Sequence, residues 1–321
     1  MKDLRSPKFV RAVEQRIADA LAWPESGPDP DVLGRAAKHL CLAADARRAR
    51  PRLVGLFGLA VGSDFDACVD VAVAGEFIHA ASLLHDDVID EGTLRRQQPT
   101  ANVLWGNLSA VLSGDLVLIQ ALDVLSDLPR SITDDAHHVI ASMTRGALLE
   151  AQGRGNPELS LADWHTIATY KTGTLLGWCG KAAARLGGDS TAVARFDTCG
   201  LHLGIAYQLA DDLRDLCGGD DSKDRFADIR NANPSYPVLW ACAQSPRLRE
   251  RLKAFWLEEG TDPHELGQEV TSTGAIDATV EAIQAEAKAG IEALGDYASG
   301  PGGLEIAAWI EQLVFASRAA A

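Results

Sequence analysis

Two short acidic clusters each place three carboxylates at the spacing of one helix face. Their members are Asp86, Asp87 and Asp90 in the first cluster and Asp211, Asp212 and Asp215 in the second. At about 3.6 residues per turn, the first and last aspartate of each cluster lie about 40° apart around a helix. Carboxylate oxygens suit a hard divalent cation, and Mg²⁺ that also contacts a phosphate is the usual form. Two matching clusters favour a shared metal site, although one cluster alone would equally fit a solvated acidic helix end.

The residues that precede each cluster predict buried helices. Between positions 67 and 84 only Asp70 and Glu76 are ionised, and no residue is ionised between positions 199 and 209. Helices this apolar on every side are buried, and the glycines soon after both clusters place the carboxylates in last turns. The helix dipole disfavours an anion there by about 0.3–1 kcal/mol, and crowded carboxylates repel one another. A bound cation would offset both effects.

Composition predicts a globular, cytoplasmic protein. The chain has 321 residues, of which 47% are hydrophobic and 23% charged, and its net charge is −15. That charge should repel nucleic acid and anionic membrane surfaces. The six cysteines form no C-x-x-C motif, which favours a reduced compartment. Charged residues at the start, from Lys2 to Lys8, predict no signal peptide, and no transmembrane segment is expected.

Helical periodicity runs through the chain, without convincing strand alternation. Ser63 and Asp64 are predicted caps of the helix that carries the first cluster. Helices are predicted at about 6–22, 31–48, 51–62, 65–90, 102–126, 131–152, 160–187 and 199–216, with helical character to the end. We therefore expect a single all-α domain over residues 1–321, a bundle of about ten to thirteen helices around a central apolar cavity.

Basic and polar side chains lie close to the clusters in sequence. The cations are Arg47, Arg50, Arg95, Arg96, Lys171 and Lys223. Arginine holds phosphate oxygens through bidentate hydrogen bonds and lysine does so as a point charge, but each of these alone would also fit a solvated surface. His79, two turns before Asp86, and Gln208, one turn before Asp212, either belong to the core or reach into the cavity.

The motifs together resemble the trans-isoprenyl (polyprenyl) diphosphate synthases over about residues 35–240. The matching stretches are HAASLLHDDVIDEGTLRRQQPTANVLWGN, GIAYQLADDLRDL, YKTG and ARRARP. The resemblance implies an electrophilic condensation in which an allylic diphosphate ionises, isopentenyl diphosphate attacks the carbocation, and a proton leaves. It also implies a homodimer, and dimethylallyl, geranyl, farnesyl or geranylgeranyl diphosphate as the allylic substrate.

The resemblance also implies a role for individual residues. Asp86 and Asp90 would bind two Mg²⁺ ions and Asp211 a third, with Mn²⁺ as an alternative metal and with Asp87, Asp212 and Asp215 as further ligands or outer contacts. The groups implied to bind the allylic diphosphate are Arg95, Lys171 and Lys223. The groups implied to bind isopentenyl diphosphate are Arg47, Arg50, His79 and Arg96. The groups implied to face the carbocation are Lys171, Thr172 and Gln208.

The sequence departs from the family pattern at several positions. Arg47 stands where the family has a lysine, which keeps the charge, whereas Asn233 replaces a second lysine and weakens the positive potential near the leaving group. On a middle helix, Ala147 and Glu150 stand where the family has glutamate and glutamine. The changes at Arg47 and Asn233 would fit an unusual acceptor or a specialised pathway enzyme.

Helix geometry predicts the length of the product. Ala81 and Ser82 lie one turn below Asp86, and because neither is a bulky aromatic we expect a product of C20 or longer. Phe77 and Ile78, one turn lower, would form a floor that gives about C20–C25. If Phe77 points away from the cavity, C30–C50 would fit.

Three other functions compete with this one. A terpene cyclase shares the fold and a first D-D-x-x-D, but it typically has an Asn/Asp, Ser/Thr and Glu triad at the second site. A non-catalytic subunit of a heteromeric synthase commonly lacks one acidic motif, and this chain has both. A helical protein with solvated acidic patches is the third alternative.

Overall fold

The computed structural model describes residues 3–22, 31–43, 46, 48–95, 98–218, 225–258 and 262–320. The α-helices are α1 Pro7–Ala20, α2 Val32–Cys41, α3 Ala49–Val61, α4 Phe65–Ile89, α5 Ala101–Ser126, α6 Arg130–Gly153, α7 Leu161–Ala168, α8 Thr174–Leu186, α9 Ser190–Cys217, α10 Ala227–Arg230, α11 Tyr236–Gln244, α12 Pro246–Glu258, α13 Pro263–Ser272, α14 Ala275–Leu294 and α15 Gly303–Ala320. A π-helical turn, Thr169–Gly173, joins α7 to α8, and a 3₁₀ turn occupies Gly295–Ser299.

The predicted all-α class is confirmed, with more helices than expected. The described residues form fifteen α-helices, partly because the π-helical turn divides one predicted helix in two and α10 is only four residues long. A two-residue antiparallel ribbon, β1 (Leu94–Arg95) with β2 (Gln98–Pro99), follows the first acidic cluster. Strands this short have no periodicity to recognise, which is why the sequence predicts only a polar loop there.

The chain forms two compact units. The first contains Met1–Ala141, Trp178–Asp197 and Asp296–Ile306, and the second contains Ser142–Gly177, Thr198–Gly295 and Ala307–Ala321. The single-domain organisation stays a prediction.

The first unit is built on α4, the helix that ends in the first acidic cluster. The carboxylate of Asp64 accepts the backbone N–H groups of Asp66 and Ala67, each at 3.0 Å, and so forms the predicted cap. From Val71 to Ile78 every residue of α4 is buried, as its apolar composition requires. The predicted stripe of α1 is also buried, and its members are Phe9, Val13, Ile17 and Leu21.

The second unit contains the C-terminal part of α9, where the second acidic cluster lies. Its buried apolar residues include Trp164, Leu209, Leu213, Leu239 and Ile283. Gly218 directly follows α9 with a φ of +72°, the left-handed conformation that ends many helices and that glycine adopts without strain. The carboxylates of this cluster therefore occupy the last two turns of α9, as the sequence predicts.

Two helices are long and apolar enough, by length and composition, to cross a membrane. The most apolar window of α4 is 72% buried inside the protein, as in a core helix, whereas that of α5 is 39% buried. The expectation that no such segment exists is not supported, because residues 97–114 contain no charged side chain. Several leucine and isoleucine side chains of α5 are exposed instead of packing into the core.

Candidate active site

The last turn of α4 separates the three aspartates of the first cluster by accessibility. Asp87 is buried, and the guanidinium of Arg95 donates to its carboxylate from Nε at 3.0 Å and from Nη2 at 2.7 Å. Asp86 is half-buried and Asp90 is exposed. Because Asp86 and Asp90 are the accessible pair, they are the two carboxylates of this turn that a solvated cation can reach.

Hydrogen bonds hold the loop that follows the first cluster and so position Arg95. The N–H of Gly92 donates to the carbonyl oxygen of Asp87 at 2.9 Å. The amide of Asn102 donates to the carbonyl oxygens of Asp87 and Gly92, and the hydroxyl of Thr100 also donates to Gly92. A Cβ at Gly92 would lie 3.3 Å from the carboxylate of Asp87, so the close approach of loop and helix favours glycine.

In the second cluster Asp212 is the buried member. Its carboxylate accepts hydrogen bonds from the indole of Trp164 at 2.9 Å, the N–H of Tyr236 at 2.9 Å and the amide of Gln208 at 3.0 Å. Burial raises the pKa of Asp212 to about 7, and the charge of Asp211 adds to the rise, although these hydrogen bonds oppose it. Asp212 thus anchors three elements, α7, α9 and the start of α11.

The other two aspartates of the second cluster have different surroundings. Asp211 is exposed and accepts from Nη2 of Arg214 at 2.5 Å. The carboxylate of Asp215 accepts the backbone N–H groups of Ala227 and Asp228, both at 3.0 Å, at the start of α10. Asp211 is therefore the most accessible carboxylate of this cluster, while Asp215 fixes the chain that follows it.

The π-helical turn presents Lys171 and Thr172. Such turns occur often at functional sites, because the extra residue shifts the direction of the side chains. The ammonium of Lys171 donates to the carboxylate of Glu150 on α6, and the hydroxyl of Thr172 donates to the amide oxygen of Gln208 at 3.1 Å. Since Gln208 also donates to Asp212, a continuous hydrogen-bonded chain links the turn to the buried aspartate.

A small cavity of about 20 Å³ lies against this turn, enough for about one water molecule. Its polar lining is Glu150, Lys171, Gln208, Asp212, Asn233 and Ser235. The predicted carbocation-facing residues Lys171 and Gln208 therefore border the same cavity. The amide of Asn233 donates to the carboxylate of Asp228 at 3.0 Å, so the residue that replaces a family lysine is part of this polar network.

The structure describes only two of the four residues that were predicted to bind isopentenyl diphosphate. His79 is half-buried on α4, and Arg50 is half-buried in the first turn of α3. Arg47, Arg96 and Lys223 lie outside the described residues, so their roles stay predictions.

Of the four predicted chain-length residues, three are buried and one is accessible. Ala81, Ile78 and Phe77 are at most 3% exposed, whereas Ser82 is half-buried and its hydroxyl donates to the carbonyl oxygen of His79. Phe77 lines a small cavity together with Ile17, Arg48 and His79. Helix geometry places Phe77 about 180° from Asp86 around α4, while His79, about 20° from Asp86, borders the same cavity as Phe77.

Sequence reasoning did not find the contacts of three charged residues. Glu150 was noticed only as a departure from a pattern, although it pairs with Lys171. Asp228 lies beside the second cluster, and burial, with the charges of Asp215 and Asp212, raises its pKa well above the ordinary value. Arg48 is buried and donates to Glu76 at 2.9 Å; the only signal for this pair was an ionised residue within an apolar helix.

The accessible carboxylates of each cluster, taken by itself, are of the kind that Mg²⁺ accepts as ligands. Among the residues that the structure describes, no group of three or more His, Cys, Asp or Glu side chains is arranged to hold a metal ion. Mg²⁺ keeps several waters and usually takes one or two carboxylates plus substrate phosphates. Asp86, Asp90 and Asp211 are accessible carboxylates of this kind.

Comparison with known proteins identifies the family. A family model described as polyprenyl synthetase matches residues 30–272. The chain belongs to this family. It is 32% identical over 265 residues to the nonaprenyl diphosphate synthase of Mycobacterium tuberculosis, covering 79% of this chain and 77% of that protein. It is 30% identical over 260 residues to the octaprenyl diphosphate synthase of Haemophilus influenzae, covering 77% and 78% of the two chains.

The fold has a matching solved structure. A polyprenyl synthase from Caulobacter crescentus CB15, complexed with calcium and isoprenyl diphosphate, superimposes with a TM-score of 0.88 at 28% identity and covers 97% of this chain and 94% of that one. The predicted resemblance to trans-isoprenyl diphosphate synthases is therefore confirmed.

Proposed function

We propose that this protein is a Mg²⁺-dependent trans-prenyltransferase that condenses isopentenyl diphosphate with an allylic diphosphate to give a polyprenyl diphosphate of C20 or longer. The observation that supports the proposal most directly is the difference in burial among the aspartates of each acidic motif. Asp87 and Asp212 are buried, whereas Asp86 is half-buried and Asp90 and Asp211 are exposed at the ends of their helices. A solvated acidic patch would need no such buried anchor.

The reaction requires a good leaving group. When bound, Mg²⁺ neutralises charge that develops on the diphosphate as the allylic C1–O bond breaks. Asp86, Asp90 and Asp211 would hold Mg²⁺, or Mn²⁺ in its place, and Lys171 and Arg95 would contact diphosphate oxygens. Both cations are already oriented by carboxylates, Lys171 by Glu150 and Arg95 by Asp87. Fixed positive charge of this kind stabilises the leaving group without reorganisation during the reaction.

The carbocation needs polar atoms that stabilise charge but do not attack. The bonding pair of the allylic C1–O bond leaves with diphosphate. C4 of isopentenyl diphosphate then forms the new C–C bond at C1. The isopentenyl unit finally loses a C2 proton to the released diphosphate. Thr172 and Gln208 are bonded to each other, so their oxygen atoms are held in place. Such a site must also exclude water, which would quench the cation.

We also propose that two copies associate through α5 and that the enzyme works in the cytoplasm. After the kink at Gly106, exposed apolar side chains of α5 recur at helical spacing, and they are Leu108, Val111, Leu112, Ile119 and Leu122. An apolar face of this extent marks an interaction surface. A second copy is the occupant that we favour over lipid, because the net charge of −15 opposes contact with anionic membranes.

One incubation tests the function. The protein is mixed with Mg²⁺, labelled isopentenyl diphosphate and, in separate reactions, C5, C10, C15 or C20 allylic diphosphates. Elongated diphosphates support the proposal, and their loss in Asp86→Asn and Asp211→Asn would tie the activity to the clusters. Hydrocarbon products would instead indicate a terpene cyclase. No turnover in any reaction would indicate a non-catalytic subunit or a protein without this activity.

A further inference from the structure

Glycines of two helices lie directly against the π-helical turn that presents Lys171 and Thr172. A Cβ at Gly146 on α6 would lie 2.7 Å from the backbone nitrogen of Lys171. A Cβ at Gly204 on α9 would lie 2.6 Å from the Cα of Gly173 and 3.0 Å from the carbonyl oxygen of Thr172. Interiors are close-packed, and a carbon atom this near a backbone atom would force the backbone to move. Only glycine therefore fits at these two positions while the turn stays where it is.

Each helix also binds a side chain of the turn, one helical turn after its glycine. Glu150 follows the glycine of α6 by four residues and accepts from the ammonium of Lys171. Gln208 follows the glycine of α9 by four residues, and its amide oxygen accepts from the hydroxyl of Thr172 at 3.1 Å. Residues four apart lie on one face of a helix. Each helix therefore contacts one residue of the turn at two points, the backbone and the end of the side chain.

The backbone contact matters most for Lys171. Lysine carries its charge on a flexible four-carbon stem, so the ion pair with Glu150 alone does not determine where the ammonium lies. Contact with Gly146 fixes the start of the stem, and Glu150 fixes its end. All of these residues belong to the second compact unit.

We propose that Gly146 and Gly204 are positioning residues, which determine where Lys171 and Thr172 lie relative to the substrate. The inference rests on the proposed prenyltransferase activity, in which Lys171 contacts the leaving diphosphate and Thr172 faces the carbocation. A methyl group added at either glycine has to displace the turn by several tenths of an ångström. Because misplacement of catalytic groups by about 1 Å can cost about 10²-fold in rate, such a shift should slow the chemical step.

The test measures the chemical step in alanine variants of the full chain. Gly146→Ala and Gly204→Ala are each mixed, in excess over substrate, with Mg²⁺, labelled isopentenyl diphosphate and the allylic diphosphate that the wild-type protein elongates best. We expect each variant to lower the rate of a single turnover by at least about tenfold. The KM for isopentenyl diphosphate should change by less than about twofold, because its proposed binding groups lie on other elements.

Gly55→Ala is the matched control. Gly55 is buried in α3, in the first compact unit, and its added Cβ would lie 2.6 Å from the carbonyl oxygen of Leu4. The substitution therefore creates the same kind of clash with a backbone atom, away from the turn. We expect it to lower the free energy of unfolding in urea while the single-turnover rate stays within about twofold of the wild-type rate.

A milder variant keeps the test decisive if the first two do not fold. A Cβ at Gly173 would lie 3.2 Å from the carbonyl oxygen of Leu201, so Gly173→Ala needs a smaller displacement of the turn. We expect it to fold and to lower the single-turnover rate by less than Gly204→Ala does. If it alone folds, a rate equal to that of the wild-type protein would overturn the proposal.

The remaining outcomes separate this inference from the function on which it rests. The role of Gly146 and Gly204 would be overturned if their variants lost no more single-turnover rate than Gly55→Ala. A rise in the KM for isopentenyl diphosphate as large as the fall in rate would also overturn it, because general damage to the fold would then explain both. A wild-type protein that elongates no substrate would instead contradict the proposed function itself.

Discussion

The ammonium of Lys171, on the π-helical turn, donates to the carboxylate of Glu150 on α6. The two side chains are 23% and 20% exposed, so the pair is partly shielded from water. A diphosphate that binds Lys171 has to compete with Glu150 for the same ammonium. The ion pair therefore orients Lys171, but it also lowers the affinity of Lys171 for a diphosphate.

Replacing Glu150 by glutamine should strengthen binding of the allylic diphosphate. The loss of a partly exposed ion pair is worth up to about 1 kcal/mol, so we expect the KM for the allylic substrate to fall by up to about fivefold. Steady-state kinetics with varied allylic diphosphate measures this change. Lys171→Gln is the comparison variant. Because it removes the positive charge that stabilises the leaving diphosphate, we expect it to lower kcat by at least about 10²-fold. A higher KM in Glu150→Gln would show that orientation of the lysine matters more than competition.

Removing Arg95 should destabilise the fold, because Asp87 is only 4% exposed and would keep a buried charge without its partner. Arg95 itself is about one-third exposed, so we expect Arg95→Gln to lower the free energy of unfolding by about 1–3 kcal/mol, less than for a fully buried pair. Urea unfolding without added metal measures it. The control is Arg214→Gln, which breaks the exposed pair with Asp211 and should cost less than about 1 kcal/mol. An equal loss of unfolding free energy in the two variants would contradict the expectation that the buried pair matters more than the exposed one.

Local signals predicted the helices that carry the acidic clusters. Apolar composition identified α4, Asp64 identified its start, and the glycines after both clusters identified the ends of α4 and α9. These signals act over a few residues and depend little on the rest of the fold. The accessible aspartates therefore lie at helix ends, as expected.

Contacts between residues far apart in the chain could not be predicted from such local sequence signals. Trp164 and Asp212 are 48 residues apart, and their hydrogen bond depends on how α7 packs against α9. The direction of Phe77 depends on which neighbours cover each face of α4, which composition alone does not reveal when the helix is apolar all round. The same holds for the contact between Gly204 and Gly173, since a glycine in a helix gives no indication of which neighbouring backbone lies against it.

The indole of Trp164 should contribute to stability through its hydrogen bond to a carboxylate. At pH 8 and without added metal, above the pKa of about 7 that burial gives Asp212, we expect Trp164→Phe to lower the free energy of unfolding by about 1.5–3 kcal/mol. Trp256→Phe provides the control, because its Nε1 donates to the neutral carbonyl oxygen of Ile229 and its loss should cost about 0.5–1.5 kcal/mol. Thermal unfolding of both variants gives the comparison, and a larger loss in Trp256→Phe would contradict it.

A charge on the apolar face of α5 should break the proposed dimer. Leu108 is 74% exposed on α5, and Leu257 is equally exposed on α12, outside that face. We expect Leu108→Arg to shift the protein from dimer to monomer in light scattering after size exclusion, because a buried interface cannot satisfy an unpaired guanidinium. Leu257→Arg should leave the mass unchanged. A wild-type protein that is monomeric and floats with neutral lipid vesicles, but loses that binding in Leu108→Arg, would show instead that lipid covers this face.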